Sequence, residues 1–354
     1  MRRLVLPAFL GALVLSTGCV QNVASSFGPG AWPLEMIQVD LLHKEGIKGS
    51  GITVAIIDTG IDSAHPQFAG RTLGWLDLVN NRPDPYDDNG HGTHVAGIVG
   101  ARGDYSTLAK GFYLQGVAPE AKLLIIKAIA ADGKGDETKV ARAVSAAVSN
   151  DADIIVLSLG GDTFPILGTE TEEEVNKAVR AGVYVVAAGG NGKDGRPCSI
   201  TSPATEPNVI AVGAVRKDRS IAPFSCKGTD NDGSGPLRLG GRSDPDRKPE
   251  VVAPGDEILS TWKDPVDTEV EYALASGTSQ AAPFVGGVIA LILGEHVDLR
   301  RAGARGGEEG VDRVKEVLMT TSQKVGPLAG KGATAHDDAY GYGIVQAKAA
   351  LDAL

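Results

Sequence analysis

The chain has 354 residues, of which 42% are hydrophobic and 22% charged; that balance suits a large buried core and excludes a disordered or coiled chain. The length alone suggests two or three domains, although large α/β units often reach this size as one. A net charge of −10 with no basic cluster argues against a nucleic-acid partner, because nothing is available to neutralise a run of phosphates; the acidity reads as solubility.

The first element is N-terminal. "MRR" is cationic, "LVLPAFLGALVL" is apolar, and the small residues "STG" precede Cys19. These are the three parts of a secretory signal, too short for a comfortable membrane span. A cysteine at the cleavage point resembles the lipobox of bacterial lipoproteins, where the thiol takes up lipid and becomes the mature N-terminus. Ser16 departs from that pattern, which usually has Leu three before the cysteine. Lipidation of Cys19 is the expectation, and plain signal cleavage near Gly18 is the alternative. A Ser/Gly/Pro-rich tether follows over 20–34, and a single domain is expected over 35–354.

Within that domain, short β-branched runs without polar alternation occur at 52–58, 122–129, 153–159, 183–189 and 208–215. Such runs suit parallel strands covered on both faces. Amphipathic stretches at 137–150 and 171–182 lie between them, the second opened by Thr171 and Glu174 as a capping box. An apolar helix is expected over "FVGGVIALIL", just after Ser279. Strand–helix alternation of this kind predicts an α/β fold: one doubly wound domain with a mainly parallel β-sheet flanked by helices. Residues 227–248, rich in Gly, Asp, Arg and Pro, read as a long surface loop.

Chemistry in such sheets gathers where strands end and helices begin. The first strand runs into Asp58 in "VAIIDTGID"; taken alone, a turn or capping Asp is the blander reading. His91 stands between glycines in "NGHGTHVAG", at an expected helix start. His94 lies three residues on, but the Glu of the zinc-protease helix motif is missing, so His94 is read as a packed histidine rather than a metal ligand. Asn191, in "VVAAGGNG", offers an amide donor among small neighbours, or alternatively a turn residue. Ser279, in "SGTSQAAP", is either a nucleophile at a helix mouth or an N-cap. Cys198 and Cys226 are an even pair in an exported chain; a disulfide and two buried thiols are the two readings.

Asp58, His91 and Ser279 occur in the chain order of the subtilisin triad. With "VAIIDTGID", "HGTHVAG", "GVAPEAKL", "VLSLGG", "VVAAGGNG", "NVIAVGAV", "KPEVVAPG", "SGTSQAAP" and "GYGIVQAKAAL", the sequence resembles the subtilisin-like serine proteases (peptidase family S8) from Trp32 to Leu354. The resemblance implies a serine endopeptidase with Ser279 as nucleophile, His91 as general base and then acid, and Asp58 orienting the imidazole. It implies an oxyanion hole of the Ser279 N–H and the Asn191 amide. Ser158, Leu159 and Gly160 would pair with an extended substrate, and Ala188, Gly189 and Gly190 would line the opposite wall of the pocket for the side chain before the cut. Ser202–Pro203 matches a position that is often cis.

No cofactor is required for this chemistry, but structural calcium is frequent in the family. The acids of "DPYDD" (84–88) and "DNDG" (230–233) lack the full spacing of a calcium loop and read as solvated turns. Gln280 replaces the Met that commonly follows the nucleophile. Twelve residues separate Cys19 from Trp32, too few for the usual propeptide domain, so unaided folding is expected. The implied partners are polypeptide substrates and, through the lipid, a membrane. A monomer is expected, in the cell envelope or outside the cell. The rivals are a catalytically silent binding protein of this fold and a nucleotide binder; the latter lacks G-x-G-x-x-G after the first strand.

Overall fold

A computed structural model describes residues 30–68, 72–103, 111–160, 169–192, 197–228, 247–267 and 271–354. The signal segment, Cys19, most of the tether and residues 229–246, which make up most of the expected surface loop and include the acids of 230–233, lie outside the described residues.

Seven strands form one parallel sheet: β1 (Thr53–Asp58), β2 (Thr72–Asp77), β3 (Lys122–Lys127), β4 (Ile154–Leu157), β5 (Tyr184–Ala188), β6 (Ile210–Val215) and β7 (Val251–Pro254). Their order across the sheet is β2-β3-β1-β4-β5-β6-β7. The five strands expected from apolar runs are β1, β3, β4, β5 and β6, and their residues are almost all buried. The two edge strands carried no such signal. β2 contains a glycine beside a register shift, and β7 has four residues ending in Pro254. A proline is tolerated there because an edge strand need not donate on both sides. A two-stranded antiparallel ribbon, β8 (Ile258–Thr261) with β9 (Tyr272–Ala275), completes the strands among the described residues.

β1 lies between β3 and β4, so the winding of the sheet reverses at β1. The crevice beyond the carboxyl ends of strands at such a switch point is where open α/β sheets hold their ligands. Asp58 is the last residue of β1 and therefore stands at its mouth.

Helices cover the sheet. α1 (Trp32–Met36) and α2 (Val39–Lys44) pack together, α1 spanning the expected junction of tether and domain with Leu34 in the core. α3 (His91–Gly100) packs on α6 (Thr278–Glu295), which crosses β4 to β7. Gly286 and Gly287 let α6 lie close, since a Cβ on either would stand 2.6 Å or less from the side chains of Val156 and Val117. α6 is long and apolar enough to cross a membrane, but 83% of it is buried inside the fold. It is the core helix.

α4 (Glu137–Ser149) and α5 (Glu170–Arg180) pack as a second pair, with α7 (Glu308–Thr321) beside α5; α8 (Ala347–Asp352) contacts α2 and α6. α4 starts where the Asp136 carboxylate accepts the Lys139 N–H at 3.0 Å. α5 does open with a capping box, but its members are Thr169 and Glu172 rather than Thr171 and Glu174. Thr171 is instead buried, its N–H on the Glu137 carboxylate and its hydroxyl on the Glu137 carbonyl. The two threonines share the same spacing to a glutamate, so only packing against α4 decides which one caps.

Candidate active site

A cleft of about 650 Å³ opens over the carboxyl ends of the central strands. Asp58, His91, Ser158, Asn191 and Ser279 all line it, drawn from five separate segments of the chain. The sheet delivers Asp58 and Ser158 directly, one at the end of β1 and the other just past β4. His91 is the first residue of α3 and Ser279 the second of α6, so both ride on rigid helices. Ser279 is not an N-cap; Gly277 holds that place.

Asp58 is buried, and its Oδ1 lies 2.7 Å from His91 Nδ1. The same carboxylate oxygen accepts the Thr59 N–H. The His91 ring is 22% exposed, enough for a reacting group to reach its other nitrogen. Burial would lower the imidazole pKa, but the Asp58 charge and hydrogen bond, with help from Asp87, outweigh it and hold the pKa above 6.5. The two flanking glycines serve backbone packing: a Cβ on Gly92 would sit 2.3 Å from the Gly60 carbonyl, and Gly90 has φ +99° against Trp262 and Lys263.

A second carboxylate, unforeseen in the sequence, holds this pair in register. Asp87 is buried and accepts five hydrogen bonds. Its Oδ1 takes the Thr59 hydroxyl and the N–H groups of Asn89 and Gly90, and its Oδ2 takes the Thr93 N–H and hydroxyl. Thr59 also accepts the Gly92 N–H at 2.8 Å. The segments carrying Asp58 and His91 are thus tied together beneath the ring. The only sequence signal was the acid run 84–88, which was read as solvated turns. Asp87 is saturated by donors and Asp88 pairs with Lys127 at 2.7 Å, so this run does not fit a calcium site. No group of three or more potential ligands for a metal ion occurs among the described residues.

Ser279 and Ser158 form a reciprocal pair. Ser279 Oγ donates to the Ser158 carbonyl, and Ser158 Oγ donates to the Ser279 carbonyl, each at 2.9 Å. Ser158, expected as part of a strand edge, therefore also fixes the backbone of the candidate nucleophile. Leu159 and Gly160 line the cleft beside it.

On the opposite side, Asn191 is oriented by Thr278. The Thr278 N–H and hydroxyl donate to Asn191 Oδ1 at 2.9 and 3.1 Å, while the hydroxyl accepts the Gly190 N–H at 3.0 Å. With its oxygen so occupied, the amide must present Nδ2, the donor, elsewhere. Nδ2 stands 3.3 Å from where a Cβ on Gly277 would be, next to Ser279. Sequence reasoning passed over Thr278 because its role depends on what lies across the cleft. Ala188 and Gly190 line the wall; Gly189 does not, and turns inward against Ile200 and Val212.

The Ser202–Pro203 peptide is cis, and both residues line the cleft. Cys198 and Cys226 are bridged. The bridge flanks the wall: the Cys226 N–H donates to Gly190 O, Gly192 N–H to Phe224 O and Thr201 N–H to Gly189 O. Gln280 is buried against the Gly277 turn. His94 is fully buried, its Nε2 at the carbonyls of Ile258 and Ala273. Burial, then the neighbouring His91, pushes its pKa down to about 3, so it is a neutral packing residue on the inner face of α3.

Comparison with known proteins agrees with this architecture. Subtilisin E of Bacillus subtilis is 37% identical over 274 residues, covering 77% of this chain and 63% of subtilisin E. The major intracellular serine protease of the same species is 36% identical over 266 residues, covering 73% of each. The minor extracellular protease Epr is 32% identical over 318 residues, 90% of this chain but 41% of Epr. Residues 49–343 match the subtilase family, Peptidase_S8. With a parallel seven-stranded sheet wound as described and relatives of this closeness along most of its length, the chain belongs to the subtilase family.

Proposed function

We propose that this protein is a serine endopeptidase that cuts polypeptides through an acyl-enzyme intermediate, with Asp58, His91 and Ser279 as its triad. The reading is carried by one observation: a buried carboxylate 2.7 Å from an imidazole, in one cleft with a serine on the first turn of a long helix. In the reaction the Ser279 hydroxyl leaves the Ser158 carbonyl and turns to His91, which takes its proton as the oxygen attacks the scissile carbonyl. Asp58 keeps Nδ1 protonated and stabilises the imidazolium, and His91 then returns the proton to the departing amine. The new oxyanion is received by Asn191 Nδ2 and the Ser279 N–H, an amide of the first helical turn that has no carbonyl partner within its helix. The α6 dipole favours negative charge at the same point.

Substrate would lie extended along Ser158–Gly160, with the side chain before the cut received between that edge and the wall of Ala188 and Gly190. Main-chain pairing of this kind gives affinity with little demand on sequence. The signal-like N-terminal segment and Cys19 support an exported protein, lipid-anchored at the envelope or acting outside the cell. The silent binding protein is the rival reading. The test is labelling with a fluorophosphonate probe, mapped by mass spectrometry, together with casein hydrolysis. Labelled Ser279 and turnover lost in Ser279→Ala support the enzyme; no label and no turnover in the folded wild type support the rival.

A further inference from the structure

Lys127 is a buried charge that the chemistry above does not use. It is the last residue of β3, fully buried, and stands opposite Asp58 in the β1–β3 register. Its ammonium donates to the Thr59 carbonyl at 2.5 Å, the Asp88 carboxylate at 2.7 Å and the Ile129 carbonyl at 3.0 Å. Those contacts account for all three of its N–H donors. The Tyr86 ring lies 5.1 Å from the same nitrogen.

Stability is a weak reason for such an arrangement. An ammonium is costly to bury, and an apolar side chain of similar volume commonly serves a fold as well or better than a buried ion pair. What an apolar side chain could not do is tie its own strand end to two other segments. Thr59 follows Asp58 directly, Asp88 stands three residues before His91, and Ile129 lines the cleft wall. Asp87 joins the Thr59 side chain to the α3 N-terminus, and Lys127 joins the Thr59 main chain to the loop that leads into it. Two independent ties therefore fix β1 to the His91 segment.

We propose that Lys127, through Thr59 O and Asp88, is a positioning residue that sets the Asp58–His91 hydrogen bond. The proposal rests on reading that pair as the acid and base of the triad. Lys127 touches no reacting atom, so its loss should act on turnover rather than on substrate binding.

The test compares Lys127→Met and Asp88→Asn with the parent protein, counting active sites by fluorophosphonate titration so that misfolded protein drops out. Misplacing a catalytic group by an ångström can cost about a hundredfold in rate. Lys127→Met should thus lose at least about tenfold in kcat per titrated site, with KM within about threefold. Asp88→Asn, which leaves the two carbonyl contacts in place, should lose less in the same pattern. A second readout is independent of turnover: in a Ser279→Ala background, the low-field proton NMR signal of the His91–Asp58 hydrogen bond should shift or broaden in both variants. Unchanged kcat per site and an unchanged low-field signal, even with a lowered Tm, would overturn the proposal. If Lys127→Met does not fold, Asp88→Asn decides by the same two readouts. If the parent hydrolyses nothing, the proposed function fails, and the low-field signal still decides the role of Lys127.

Discussion

Breaking the Cys198–Cys226 bridge should cost this protein both stability and turnover. The bridge closes a loop of 28 residues. By the chain-entropy relation, releasing a loop of that size frees the unfolded chain by about 3–4 kcal/mol. For a domain this large, each kcal/mol moves Tm by roughly 2–4 °C, so the double variant Cys198→Ser/Cys226→Ser should melt roughly 6–16 °C lower. Turnover should fall as well, for a local reason. The strands of chain on either side of the bridge are bonded to Gly189, Gly190 and Gly192, and a Cβ on Gly190 would stand 3.2 Å from Cys226 Sγ. Loosening them loosens the segment that carries Asn191. The assay is urea unfolding beside kcat per titrated active site, with free thiols counted in the denatured, unreduced chain beginning at residue 20. Two thiols titrating in that chain, or a double variant with wild-type midpoint and kcat, would refute the reasoning.

Further outcomes are expected at His91, Thr278 and Gln280. His91 must be neutral to act as base, and its pKa is held above 6.5, so kcat/KM should rise with pH along a one-proton limb centred above that value. Asp58→Asn should move the limb down and lower kcat on the order of 10⁴-fold, the scale known for triad acids and measured in subtilisin among others; a limb unmoved by the substitution rules out Asp58 as its cause. The stability contributed by the Asp58–His91 pair has the opposite sense: it is complete below the unfolded imidazole pKa and lost as pH climbs through the raised folded one, which urea midpoints across that range would register. Thr278→Val keeps the volume but removes the hydroxyl between Gly190 and Asn191; kcat should fall about 2–12-fold, the worth of the one of its two hydrogen bonds that orients Asn191, with KM little changed, and an unaltered kcat would mean the amide needs no such support. Gln280, buried beside the Gly277 turn, has no thioether to oxidise, so activity should outlast mild peroxide treatment that inactivates Gln280→Met; equal rates of loss would discard the idea.

The sequence by itself determined the architecture of the central sheet and pointed to several members of the candidate site. Uninterrupted β-branched runs need burial on both faces, which a parallel α/β sheet provides, and β1, β3, β4, β5 and β6 lie within a few residues of those runs. Asp58, His91, Asn191 and Ser279 could be picked out because each follows an apolar run or sits among small residues, and their order along the chain is informative. Edge strands β2 and β7 escaped because a short run with a glycine or proline has no period to read. The tertiary structure alone decided which polar groups meet. That Thr169 rather than Thr171 caps α5, that Gly189 faces inward while Gly190 faces the cleft, and that Thr278 orients Asn191 all depend on partners more than ten residues away. The same holds for Asp87 and Lys127, which in sequence are an acid in a polar turn and a lysine at a strand end. Their contacts come from burial, which strips away water and obliges each charge to find its donors and acceptors among segments that only the fold brings together.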